Sequence, residues 1–168
     1  MGWWSHTVLG GDPALDVIDC LQEVLSQHFG IEIELYPTHA IRHQDDYENL
    51  RQLLIHRPCE DITKKLKSYV EIDGEIMYPI VASVYMAIGV PVPREIMENA
   101  IDQARDDEWA DNSEARKTYM NAFIDALKTH DGETPIFELT EGLFDKLFDK
   151  HGDGKPRWLT IKQYEEQQ

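Results

Sequence analysis

Cysteine is scarce in this chain. Cys20 and Cys59 form no Cys-x-x-Cys pair and are too few for a disulfide framework, which excludes zinc-ribbon and disulfide-stapled scaffolds and leaves reduced thiols as the expectation. Basic residues are also in short supply, with 16 Lys and Arg against 32 Asp and Glu and a net charge of −16. Phosphate backbones and anionic lipids are held by Lys and Arg in excess, so direct nucleic-acid binding and attachment to a membrane surface are not expected. No hydrophobic run reaches the roughly 20 residues of a membrane span, the longest being the interrupted stretch 76–88. The first twenty residues carry no Lys or Arg ahead of an apolar run, so no secretory leader is read and the expected compartment is cytoplasmic. Neither a repeat nor a Pro/Gly/Ser-rich linker divides the chain, which leaves 1–168 as one domain.

What is present suits a folded protein. The hydrophobic share is 42%, an ordinary globular value, so the excess acid does not come from the depleted composition of a disordered chain. Spread evenly, the charge would amount to about one unit per 500 Å² of surface, a spacing of about 20 Å. That exceeds the screening length of about 8 Å at physiological salt, so only clustering could give the charge a function beyond solubility. Clustering is present: residues 1–143 hold 27 acids and 11 bases, whereas 144–168 hold five of each.

Periodicity and punctuation give mainly helices. Gly10-Gly11-Asp12-Pro13 reads as a loop, an N-cap and a proline at the first helical position, followed by Leu15, Ile18, Leu21, Val24, Leu25 and Phe29 at helical spacing before Gly30. Residues 31–36 alternate with period two and stop at Pro37, as a half-buried strand would. Asp45 with Glu48 opens a helix that Pro58 ends, and Ile62, Leu66, Tyr69 and Val70 form another. The stretch 79–88, closed by Gly89, is apolar on nearly every face and should be the central buried helix. Pro93 starts an amphipathic helix with Ile96, Met97, Ala100, Ile101 and Ala104 inward; Asp111 to Glu114 starts one with Tyr119, Ala122, Phe123, Ala126 and Leu127 inward. Thr140 caps a short helix through Phe148, after which 158–164 alternates again. The fold class is therefore mainly α, a compact multi-helix domain around 79–88, with at most a small two-stranded β element pairing 31–36 with 158–164.

The opening Met1-Gly2-Trp3-Trp4-Ser5, the Gly-Gly-Asp-Pro turn and Ala14-Leu15-Asp16 resemble a bacterial and phage family of unknown function, whose members open Met-Gly-x-Trp and carry Ala-Leu-Asp on the first helix. The family's central helix is also similar to Pro79 through Gly89-Val-Pro, whereas Trp4-Ser5 stands where many members have Trp-Gly. The resemblance implies one helical domain and assigns no catalytic residue.

Most candidate chemistry reduces to structure. Asp12 would occupy the helix N-terminus that a phosphate needs at Gly10-Gly11, and no nucleotide-binding glycine motif follows. His39 and His43, four apart with Asp45 and Asp46 close behind, have the spacing to share a metal but no third ligand at a motif distance, so polar loop histidines are expected and neither metal nor cofactor is. The loop 149–160 has the length of a calcium loop, but His151 replaces an oxygen ligand and Thr160 the bidentate glutamate. Cys59 after His56 lacks an orienting third residue and reads as an idle thiol. Trp3-Trp4 reads as a terminal arm packed on the core or, alternatively, as an anchor for a partner.

One feature points outward. Glu95, Glu98, Asp102 and Asp106 fall within about an 80° arc opposite the apolar face of their helix, a stripe about 17 Å long. Asp107, Glu108, Asp111 and Glu114 continue it, so 102–114 holds six acids and one base. About 20 Å of DNA duplex carries about twelve charges, and such a track imitates part of that array. The expected function is an acidic binding or inhibitor protein docking on a basic surface of a nucleic-acid-handling partner, of anti-restriction, anti-CRISPR or immunity type. The alternatives are a metal-dependent enzyme built on His39 and His43, and a structural protein whose charge serves solubility.

Overall fold

The structure, a computed structural model, describes residues 8–9, 11–36, 43–139 and 157–166. Within them the chain is mainly helical with one small antiparallel sheet. The Thr140–Phe148 helix, the Trp3-Trp4 arm, His39 and most of the 149–160 loop lie outside the described residues.

Helix α1 (Asp12–Phe29) is capped by Gly11, one residue earlier than the sequence implies. Asp12 and Pro13 then sit in the first turn, where a carboxylate favours the exposed N–H groups and a proline loses no hydrogen bond. Its buried stripe is Ala14, Val17, Ile18, Leu21, Val24 and Leu25 with Cys20 beside it, whereas Leu15, expected inside, is exposed. The helix stops at Gly30, whose φ of 67° is left-handed.

The next segment corrects the sequence reading. Residues 31–36 do alternate, with Ile33 and Leu35 buried and Glu32 and Glu34 exposed, yet among the described residues they pair with no strand. Side chains take the N–H groups a ladder would use: Ile33 donates to Ser26 Oγ at 2.9 Å, Leu35 to Gln22 Oε1 at 2.6 Å and Tyr36 to Tyr47 Oη at 3.1 Å. The segment is thus fastened to α1 and to α2 (Gln44–His56) through the N–H groups of Ile33, Leu35 and Tyr36.

The sheet forms elsewhere. β1 (Phe137–Leu139) pairs antiparallel with β2 (Arg157–Leu159), Glu138 opposite Trp158. The expected strand 158–164 ends at Leu159 because Thr160 and Gln163 make a capping box: the Thr160 N–H donates to Gln163 Oε1 at 3.0 Å and the Gln163 N–H to Thr160 Oγ1 at 3.2 Å. Helix α8 (Ile161–Glu166) starts there.

α3 (Ile62–Leu66) stops short of the expected Val70, which is exposed. α4 (Met77–Ile88) is the central element, every residue of it buried, and it packs against α1, α2, β1 and most extensively α5 (Arg94–Arg105). Pro79 falls in its first turn, where no N–H is needed. Gln103 of α5 holds the same end: Tyr78 N–H donates to Gln103 Oε1 at 3.2 Å, and Gln103 Nε2 donates to the Gly74 carbonyl at 2.6 Å. α6 (Glu108–Asn112) and α7 (Glu114–Thr129) follow, α7 capped by Ser113 instead of the expected Asp111. No helix among the described residues is long and apolar enough to cross a membrane.

Gly89 ends α4 at φ 82°, and a Cβ there would lie 2.8 Å from the Glu133 carbonyl oxygen and 2.9 Å from the Pro135 ring. Gly89→Ala therefore combines left-handed strain with a clash against backbone, and should cost about 2 kcal/mol. A urea midpoint equal to that of the unaltered protein would show that the α4 terminus yields at no cost.

Candidate functional site: an acidic cleft beside α5

α5 shows the expected amphipathy. Ile96, Ala100, Ile101 and Ala104 are buried in a helix that packs on α4 and α7, and Glu95, Glu98, Asp102 and Asp106 are all exposed. Arg94 donates to Glu98 at 2.7 Å, so the N-terminal part of the stripe is partly neutralised by its own helix.

The C-terminal part opens onto a cleft of about 530 Å³. One wall is the Asn99–Asp106 face of α5, a second is the turn at 73–76, and the third is the start of α6 with Trp109. Asp73 and Glu75 join Asp102, Asp106, Asp107 and Glu108 around it. The two turn carboxylates come from about 30 residues upstream and were not singled out in the sequence. The turn that carries them is held by Asp73 Oδ1, which accepts the Glu75 N–H at 3.0 Å, and by the Gln103 bridge.

Asp107 departs from its expected place on a solvent face. Its side chain is 8% exposed, and Arg116 of α7, 1% exposed, donates to Asp107 Oδ2 through Nη2 at 2.8 Å and through Nε at 3.2 Å. Asp107 Oδ1 also caps α6 by accepting the Ala110 N–H at 2.8 Å. The Arg116 guanidinium lies 4.6 Å from the centre of the Trp109 ring and 5.9 Å from that of Tyr119. This charge pair is the floor of the cleft. Further in, Glu138 of β1 is buried beside Tyr119 and Arg116; burial pushes its carboxyl up to about 8, against the pull of the Tyr119 hydroxyl and the guanidinium. The buried guanidinium is thus held directly by Asp107, while burial favours the neutral form of the second acid, Glu138.

Asp111 and Glu114 are separated from this group. They line a smaller cleft of about 260 Å³ together with Arg105 and Lys117, where bases match acids. The acidic run that is continuous in sequence is therefore divided within α6, between Glu108 and Asp111.

The other candidates resolve locally. His43 stacks on Tyr36 with ring centres 3.4 Å apart, and its Nδ1 is 3.7 Å from Asp46. Cys59 is buried, which pushes its thiol up to about 11, and the thiol donates to Asp61 Oδ1 at 3.7 Å; at neutral pH it is a protonated, poor nucleophile. Burial likewise raises Cys20 to about 11. Among the described residues no group of three or more His, Cys, Asp or Glu side chains is placed to hold one metal ion, so the carboxylates of the cleft are spread around its walls and do not converge.

The chain matches no family model, no curated protein and no solved structure, and its functional reading therefore rests on this geometry.

Proposed function

We propose that the protein is an acidic binding protein, acting in the cytoplasm, that docks on a basic surface of a nucleic-acid-handling enzyme as an inhibitor of the anti-restriction, anti-CRISPR or immunity type. The observation that carries this reading is the cleft: Asp73, Glu75, Asp102, Asp106 and Glu108 surround one opening, and none of them forms an ion pair among the described residues. Dispersed carboxylates suit the several Lys and Arg side chains of a nucleic-acid-binding face better than a single ion. Glu95 and Glu98 extend the same face along α5.

Exposed charges of this kind act mainly through association, steering a basic partner from a distance. Asp102→Asn, Asp106→Asn, Glu95→Gln and Glu98→Gln combined should leave stability within about 0.5 kcal/mol per site, because all four are exposed. Against restriction, CRISPR-effector and toxin nucleases, stopped-flow mixing should show association slowed about tenfold or more, and wild-type binding should weaken steeply with salt. A folded quadruple variant with unaltered association kinetics would remove the stripe from the interface. Asp107 is left intact in this design because its loss would disturb the fold.

A further inference from the structure

The opposite end of α5 borders a second cavity, of about 540 Å³, enclosed by the last turn of α2, the 58–60 turn, α3, α4 and residues 90–96. Its floor consists of Leu54, Cys59, Ile62, Tyr85, Val90 and Ile96, each at most 5% exposed. Interiors of folded domains are packed with few voids larger than a water molecule, whereas cavities of about 300–1,000 Å³ are the size range of small-ligand sites. Three prolines, Pro58, Pro91 and Pro93, form much of the rim. Their fixed φ angles keep the rim from adjusting freely, so the opening is pre-formed.

Two further features define the chemistry. Glu60 and Glu95, both exposed, stand at the mouth, and no Lys or Arg is among the described residues that line it. Within, the hydroxyl of Tyr85 makes no hydrogen bond to a described residue although the side chain is 5% exposed. Among the described residues that hydroxyl is not a buried polar atom left without a partner, so it opens onto the cavity, where an occupant or water meets it.

We propose that this cavity binds a small amphipathic cation, an alkyl or aryl body filling the apolar floor within reach of Tyr85 and an ammonium group meeting Glu60 and Glu95 at the mouth. The cavity shares Glu95 with the stripe along α5 but none of its lining with the acidic cleft.

The test uses three probes that share one body, 4-phenylbutylammonium, 4-phenylbutanol and 4-phenylbutyrate, titrated into the ¹⁵N-labelled full chain. Saturable shifts are expected at the amides of Cys59, Tyr85, Val90 and Ile96, with the ammonium binding about three- to tenfold tighter than the alcohol and the carboxylate weakest. The Glu60→Gln, Glu95→Gln double variant, altered only at exposed positions, should retain alcohol binding and lose the preference for the ammonium. Absence of saturable shifts at those four residues overturns the site. Equal affinity for the three probes, or a preference that survives in the double variant, overturns the assignment of a cation.

Discussion

Val84→Asp should unfold the protein at neutral pH and do so less completely in acid. Val84 is 3% exposed in the middle of α4, whose every residue is buried. Its neighbours one turn away, Ile80, Val81, Ala87 and Ile88, are apolar and buried, and the Ser83 hydroxyl is already committed, donating to the Pro79 carbonyl at 2.8 Å. A new carboxylate there would have no cation beside it, so it would persist only in its protonated form. Keeping an aspartic acid protonated at pH 7 costs roughly 4 kcal/mol relative to its ordinary pKa of about 3.9, and burial of the neutral group adds to that. The sum is of the order of the whole stability of a domain, about 5–15 kcal/mol. The sign follows from proton binding: the folded form would hold a proton that the unfolded chain releases, so stability should recover as pH falls toward 4. Val84→Asn provides the comparison, destabilised with little dependence on pH. Circular-dichroism melts of both variants at pH 4 and pH 7 decide the matter, and a normal melt of Val84→Asp at pH 7 would displace α4 from the centre of the core.

Helices were legible wherever a stripe of apolar residues met a chemical boundary. α4 could be read because its run is apolar all round and ends in Gly89; α5 and α7 because their apolar positions recur at helical spacing. The strand at 31–36 misled because alternation reports burial on one face, not a partner for the backbone. Ser26, Gln22 and Tyr47 supplied that partner, and nothing in the pattern of 31–36 announces them. By contrast Thr160-x-x-Gln163 was a readable signal, the reciprocal side-chain spacing that ends β2 and begins α8, but the alternating residues around it concealed it.

The site was legible by halves for a related reason. A run of acids reads as solvent-facing because an isolated buried carboxylate is so costly. That inference holds for Glu95, Glu98, Asp102 and Asp106, and fails at Asp107, whose partner Arg116 lies nine residues on across the Ser113 turn. Arg116 occupies an inward position of α7, one turn before Tyr119, and a base at such a position is the signal that a nearby acid has been drawn inside. Asp73 and Glu75 sit on a turn that the Gln103 bridge ties to α5, a tertiary contact with no local pattern.

Arg116→Met should therefore be among the most damaging substitutions outside α4. It removes the only cation facing Asp107 at hydrogen-bonding distance among the described residues while leaving that carboxylate 8% exposed, a situation that costs about 3–5 kcal/mol. Arg116→Met combined with Asp107→Asn should recover much of the loss, since asparagine keeps an oxygen to cap α6 and brings no charge. The buried acid behind the pair gives a separate signature. Glu138 rises to about 8 in the folded protein from an ordinary 4.5, so between these values the folded state holds a proton that the unfolded chain lacks. The contribution of Glu138 to stability should be greatest below about pH 4.5, fall as pH rises toward 8 and level off above it, opposite to the trend of a salt-bridged carboxylate. Glu138→Gln should flatten that decline and leave the Arg116–Asp107 pair in place. Urea midpoints measured from pH 5 to pH 9 separate the two effects: a single variant of Arg116 as stable as the double variant would show that Asp107 is not stranded by its loss, and an undiminished slope in Glu138→Gln would place the proton on another group.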